Sequence, residues 1–169
     1  VDEKIPLENT PIALFIHSVL NSSIGFKTKD IFSYLKSGIT NITDEEISIL
    51  DNYVYLWNIN GHDWKNDFTK NPFGLNETPQ EDIDSELFKI NAIRKKVILP
   101  LIKLASVKNA PCSEYCKVLF ETLQTCNVVE GIANYFNNLN ANGYNAISQY
   151  TASSWNAINN ILDAVYTCF

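Results

Sequence analysis

Two helices and a tight turn are predicted by the sequence of residues 32–64, FSYLKSGITNITDEEISILDNYVYLWNINGHDW. Gly38 can end the first helix, because glycine adopts the left-handed conformation after a helix without a Cβ clash. Thr43 and Glu46 have the spacing of a capping box, in which each side chain accepts a hydrogen bond from the other residue's amide. Apolar residues follow at helical spacing, and Asn60-Gly61 is placed to end that helix. The stretch therefore predicts a helix–turn–helix.

Helix signals continue toward the N-terminus. Thr10 and Pro11 predict the start of a first helix, because proline at the first helical position lacks only an N–H that has no partner there. Residues 21–25 (NSSIG) predict a turn after this helix. Thr28 is then placed to cap a second, short helix.

After the quoted stretch, the sequence predicts a long loop and then a long helix. Residues 65–80 are polar and contain Asn-Pro and Phe-Gly pairs, which are typical of a loop. Residues 81–106 carry apolar residues at spacings of three and four, with either Ile93 or Arg94 completing the stripe. Pro100 predicts a kink or a break within this helix. Three further helices are predicted over residues 109–125, 128–139 and 144–169.

These patterns predict an all-α protein. The sequence shows no internal repeat, no glycine-rich nucleotide-binding motif and no convincing alternation typical of a β-strand. We expect an irregular bundle of about seven helices that forms a single domain over residues 1–169. The chain begins at Val1 and contains no methionine. We interpret it as a processed chain or, in preference, as a piece excised from a longer protein.

Composition and charge limit the classes of function. Apolar residues make up 46% of the chain and charged residues 19%, as in ordinary soluble domains. No apolar run approaches the roughly 18 residues that a membrane span needs. Thirteen basic and nineteen acidic residues give a net charge of −6. That net negative charge argues against non-specific nucleic-acid binding by the chain alone. It is still compatible with a local basic face.

The residues that could bind a metal are poorly placed for it. The four cysteines lie at positions 112, 116, 126 and 168, with no Cys-x-x-Cys pair and no paired histidines. Buried free thiols are therefore a better interpretation than a metal site. We predict no metal site and no cofactor in this chain.

His62 and Asp63 form the one sequence pair that suggests catalysis, since an aspartate can orient an imidazole. Neighbouring residues rarely point at each other, and no serine or cysteine nucleophile lies in a motif nearby. We interpret the pair as a turn after the helix, with Trp64 packed on the core. No catalytic residue is predicted.

The densest basic group lies on the long helix and contains Lys89, Arg94, Lys95, Lys96 and Lys103. It is either a solvated helix face or a contact for nucleic acid or another subunit. A smaller group, Lys27, Lys29 and Lys36, flanks the second helix.

Five short segments stand out for their order and spacing. They are residues 31–39 (IFSYLKSGI), 49–54 (ILDNYV), 58–64 (NINGHDW), 93–101 (IRKKVILPL) and 155–165 (WNAINNILDAV). In this order they resemble the B subunit of the AddAB-type helicase–nucleases, which are RecBCD-like and related to superfamily 1 helicases. The resemblance extends over the whole chain.

The resemblance implies a helical accessory insertion, comparable to the 2B subdomain of such helicases. The parent complex would resect double-strand breaks with ATP hydrolysis and exonuclease action, feeding homologous recombination. Its phosphate-binding and nuclease motifs and its iron–sulfur cysteines lie outside this segment. The implied partners are an AddA-type subunit and double-stranded DNA, in the cytoplasm and without a membrane.

One departure from the family affects the expected DNA contacts. The family often has basic residues around the Gly-x-x-Trp turn, where this chain has Asn60, His62 and Asp63. The remaining candidate DNA contacts are Lys36, Arg94, Lys95 and Lys96. We expect a non-catalytic scaffold that holds or guides duplex DNA.

The alternative is an independent helical domain for protein–protein interaction. In that case a partner helix would bind along an exposed seam of the last predicted helix, formed by residues with alternating spacings of three and four. They are Ile147, Thr151, Trp155, Ile158, Leu162, Val165 and Phe169.

Overall fold

A computed structural model gives the fold of residues 6–168 and the side chains of residues 6–167. Within those residues the protein contains seven α-helices, two 3-10 helices and no strand, which confirms the predicted all-α class. The α-helices are α1 (Pro11–Gly25), α2 (Thr28–Leu35), α3 (Asp44–Trp57), α4 (Gln80–Ser106), α5 (Cys112–Thr125), α6 (Val128–Ala141) and α7 (Asn145–Cys168). The 3-10 helices are Leu7–Asn9 and Gly61–Lys65.

The predicted capping box begins α3. The Glu46 amide donates to Thr43 Oγ1 at 3.2 Å, and the Thr43 amide donates to Glu46 Oε2 at 3.0 Å. The helix ends at Trp57, earlier than the predicted Asn60-Gly61 stop. Asn58 takes the left-handed conformation with φ 50°, and asparagine is the side chain that tolerates this best after glycine.

The end of α1 also differs from the prediction. The helix continues through the predicted turn at residues 21–25 and ends where Phe26 turns left-handed with φ 52°. Ser22 and Ser23 are helical, and their hydroxyls donate to the Ser18 and Leu20 carbonyls of the same helix, each at 2.7 Å. Short polar side chains that bond to their own helix in this way need not break it.

The long helix α4 is continuous through Pro100, so the predicted break does not occur. Pro100 is buried, and Ile98 and Leu101 on either side of it are about as fully buried as any residue in the chain. Burial of this stripe stabilises the helix on both sides of the proline, where one backbone hydrogen bond is lost.

The helices pack around one continuous apolar core. Helix α1 packs against α2, α4 and α7, while α5 contacts α4, α6 and α7, and α3 contacts α4. The predicted seam of α7 is only partly covered by this core: Thr151 is fully buried, Trp155 and Ile158 pack against the core partly buried, and Ile147 is 39% exposed. The interpretation of this seam as an exposed surface is therefore wrong for Thr151, whereas Ile147 is exposed as expected. Phe169 lies outside the described residues.

Backbone meets backbone where α6 crosses the turn after α2. A Cβ atom at Gly131 would lie 2.1 Å from the carbonyl oxygen of Ile39, far inside contact distance. Gly131, which the sequence marks only as a poor helix former, is thus required for this approach.

We predict that Gly131→Ala destabilises the fold although alanine is the better helix former. The expected loss in free energy of unfolding is about 1–3 kcal/mol, because backbone atoms must move to admit the methyl group. Urea denaturation measures it. Gly25→Ala is the matched control, since its nearest neighbour atoms lie at 3.9 Å. Equal effects of the two changes would contradict the proposed crowding at Ile39.

Glu46 links the α3 capping box to α4 through an ion pair with Lys96. Partial burial acts to raise the pKa of Glu46, but hydrogen bonds from Lys96 and from the Thr43 amide outweigh it, so the pKa is lowered. A lowered folded-state pKa stabilises the fold above the unfolded-state pKa, about 4.3, and this contribution is lost as the pH falls through the folded-state value.

We therefore predict that Glu46→Gln makes the fold less sensitive to acid. The variant should be less stable than the wild type at pH 6 and should lose less stability on going to pH 3, because glutamine does not titrate. Chemical denaturation at both pH values measures this. Glu45→Gln, an exposed neighbour, is the control and should keep the wild-type dependence on pH.

Candidate nucleic-acid interface

A buried tryptophan joins the elements that carry the candidate residues. Trp64 is fully buried, and its indole N–H donates to Thr28 Oγ1 at 2.9 Å. The Thr28 hydroxyl in turn donates to the Ile59 carbonyl at 2.6 Å, and its amide donates to Asn60 Oδ1 at 3.0 Å. Thr28 is thus the first residue of α2 and not its predicted cap. It attaches the start of α2 to the turn after α3.

The candidate Arg94 lies inside the protein. Its side chain is 3% exposed, with Nη1 donating to the Trp64 carbonyl at 2.9 Å and Nε to Asn91 Oδ1 at 3.0 Å. The guanidinium pairs with Asp67 and lies 5.5 Å from the ring centre of Phe68. Burial lowers the pKa of Arg94, and the Asp67 carboxylate opposes that shift.

Arg94 therefore does not share a surface with its two sequence neighbours. Lys95 and Lys96 are both more than half exposed. Lys95 lies 3.6 Å from the Asp67 carboxylate, and Lys96 pairs with Glu46 at the start of α3.

Lys36 lies on another side of α3. Its ammonium is 2.7 Å from the Asp51 carboxylate, and its side chain is 56% exposed. Glu46 and Asp51 are five residues apart, which places them about 140° apart around the α3 axis. The candidate lysines therefore occupy separate positions, each beside a carboxylate, and do not form one dense patch.

A cleft between α2 and α3 contains two basic residues, Lys27 and Lys29, that form no ion pair with another residue between positions 6 and 167. It has a volume of about 500 Å³, and Lys27, Lys29 and Asp51 line it together with Tyr55. Tyr55 is 89% exposed. Sequence reasoning identified the two lysines as part of a small basic group, but it missed Tyr55. An exposed tyrosine on an amphipathic helix is ordinary. Tyr55 indicates a binding site only once the residues that face it across the cleft are known.

The His62-Asp63 pair lies in the 3-10 helix Gly61–Lys65, and the structure gives Asp63 a capping role there. Both side chains are exposed, and the Asp63 carboxylate accepts the Asn60 amide at 3.3 Å, which caps the 3-10 helix. Trp64 packs on the core as predicted.

The cysteines are free where they are described, but they differ in exposure. Cys116 and Cys126 are buried, as predicted, whereas Cys112 is exposed; the side chain of Cys168 lies outside the described residues. Burial raises the pKa of Cys126 to about 11. In the described part of the chain, no three histidine, cysteine or acidic residues are grouped so that they could hold a metal ion.

A larger, mostly apolar cleft of about 910 Å³ lies between α1, α5 and α7. Several of its residues remain partly exposed although they are aliphatic. They include Leu7, Leu14, Ile158 and Ile161.

Between residues 6 and 168, no helix is both long enough and apolar enough to span a membrane.

Comparison with known proteins identifies relatives along nearly the whole chain. The B subunit of an ATP-dependent helicase/deoxyribonuclease from Clostridium botulinum (strain Loch Maree / Type A3) is 34% identical over 98% of the chain. The chain is homologous to a segment of these B subunits. The corresponding B subunits of Alkaliphilus metalliredigens and Clostridium novyi are each 30% identical, over 96% and 100% of the chain. No protein-family model matches it.

This homology confirms the resemblance found in the sequence. The chain spans about 15% of the length of the helicase/deoxyribonuclease B subunit from C. botulinum, and 14–15% of the other two. It therefore corresponds to a limited part of such a protein.

We predict that Arg94 stabilises the fold of this chain and is not a surface cation. Arg94→Met should lower the free energy of unfolding by about 1–3 kcal/mol, because the buried Trp64 carbonyl loses its donor. Lys95→Met, a neighbouring exposed cation, should change it by no more than about 0.5 kcal/mol. Thermal and urea denaturation of both variants measure this. A stable Arg94→Met variant would contradict the assignment.

Proposed function

We propose that this chain is a non-catalytic helical domain of a helicase/deoxyribonuclease B subunit that holds or guides duplex DNA. The observation that supports the proposal is the homology to named B subunits over 98% of the chain. The setting would be double-strand-break repair by homologous recombination in the cytoplasm, with an AddA-type subunit as partner. ATP hydrolysis and nuclease action would belong to other parts of that complex.

The proposed contacts are made by exposed lysines to phosphates. Lys36, Lys95 and Lys96 are each about half exposed, so a phosphate can reach them. Each would exchange a carboxylate partner for a phosphate, and such surface ion pairs are worth only about 0–1 kcal/mol. Contacts of this kind position a duplex without reading its sequence.

The acidic character of the chain sets the expected strength of binding. With a net charge of −6, the chain should bind DNA weakly and mainly at low salt. The proposal includes no catalytic residue and no cofactor in this chain. Arg94 is left out of the contact set because it is buried.

We predict that a triple variant with Lys36, Lys95 and Lys96 changed to glutamine binds duplex DNA more weakly. Each lysine that no longer neutralises a phosphate should reduce the slope of log affinity against log salt by about 0.9. Fluorescence anisotropy with a tailed duplex, from low to physiological salt, measures affinity and slope. The matched control changes Lys103, Lys108 and Lys117 to glutamine, which alters the net charge equally.

Three outcomes are distinguishable. A lower salt slope in the first variant alone supports the proposal. Equal losses in both variants would mean that only overall charge matters, which contradicts specific contacts. Absence of binding even at low salt would favour the second candidate function, a protein-interaction domain. The specific observation in favour of that second function is the apolar cleft between α1, α5 and α7.

A further inference from the structure

We propose that the cleft between α2 and α3 binds single-stranded DNA, with an unpaired base stacked on Tyr55 and the adjoining phosphates on Lys27 and Lys29. This inference rests on the proposed function, which supplies DNA as the class of ligand. It adds a second binding site and specifies single-stranded DNA as what binds there. None of these three residues belongs to the contact set proposed for the duplex.

The cleft has the size and walls that one nucleotide needs. Its volume of about 500 Å³ lies within the range of about 300–1,000 Å³ that small-molecule sites occupy. The buried residues Val54 and Ile59 line it together with Asn58 and Asn60, whose side chains carry amide groups. A planar base can therefore meet an apolar surface while its polar edge meets amides.

Tyr55 is placed as a stacking surface. It is 89% exposed, whereas its neighbour Val54 on the core side of α3 is 3% exposed. Base–aromatic stacking does not depend on the base, because every base has a π face. The bases of a duplex already stack on each other, so Tyr55 can add affinity only for unpaired nucleotides.

The charges in the cleft favour a phosphate. Lys27 and Lys29 form no ion pair within the described residues, in contrast to the lysines proposed for the duplex. The one carboxylate that lines the cleft, on Asp51, is 2.7 Å from the Lys36 ammonium. The Thr28 amide between the two lysines is already bonded to Asn60. The site therefore depends on the lysine side chains and not on the end of the helix.

The test uses fluorescence anisotropy of the 169-residue chain with two labelled probes at low salt, an oligothymidine and a blunt duplex. Tyr55→Ala should weaken oligothymidine binding by about 5- to 100-fold and leave duplex binding within about twofold. Tyr55→Phe should retain the wild-type affinity for both probes, because the ring remains. Phe88→Ala is the matched control, since Phe88 is 78% exposed and lies outside the cleft.

A second variant tests the charges. Changing both Lys27 and Lys29 to glutamine should reduce the salt slope for oligothymidine by about 1.4, at about 0.7 per phosphate contact. Both side chains are exposed, and circular dichroism checks that each variant keeps the wild-type helix content.

The outcomes separate this inference from the proposed function. Unchanged oligothymidine binding by Tyr55→Ala, with lysine-dependent duplex binding intact, would overturn the cleft and leave the duplex proposal standing. Equal losses for both probes on Tyr55→Ala would also overturn it, because a stacking site must discriminate between them. Failure of the wild type to bind either probe at low salt would overturn both proposals.

Discussion

The buried Trp64 ring, whose indole N–H donates to the Thr28 hydroxyl, links the elements of the first half of the molecule. A buried indole N–H without a partner would be costly, and the Thr28 hydroxyl supplies that partner. Because Thr28 begins α2 and Trp64 follows α3, the bond joins the start of α2 to the segment after α3. Arg94 then attaches the same tryptophan, through its carbonyl, to α4.

The helix boundaries that were predictable are those encoded in adjacent residues. The capping box of Thr43 and Glu46 needs only four consecutive residues, so it could be read directly. The role of Thr28 depends on a tryptophan 36 residues away. Serines in the last turn of α1 suggested a turn, but they bond within their own helix, and local composition cannot distinguish the two cases.

The candidate site shows the same limit. The sequence run Arg94-Lys95-Lys96 reads as one basic patch, but consecutive residues on a helix point about 100° apart. Arg94 lies four residues after Ile90 and three before Val97, both buried, so helical spacing offered a sign that it faces inward. Its Asp67 partner comes from the loop before α4, and no local pattern could supply that contact. The cleft at Tyr55 likewise needs two helices to be placed before it exists.

The approach of Gly131 to Ile39 has a consequence for how α6 is positioned. Where two backbones touch directly, no side chain is present that could change rotamer to absorb a displacement. Sliding α6 by one residue would bring Glu130 or Ile132 to the crossing point, and neither fits against a carbonyl. The crossing therefore sets the register of α6 against the turn after α2 by steric contact between the two backbones.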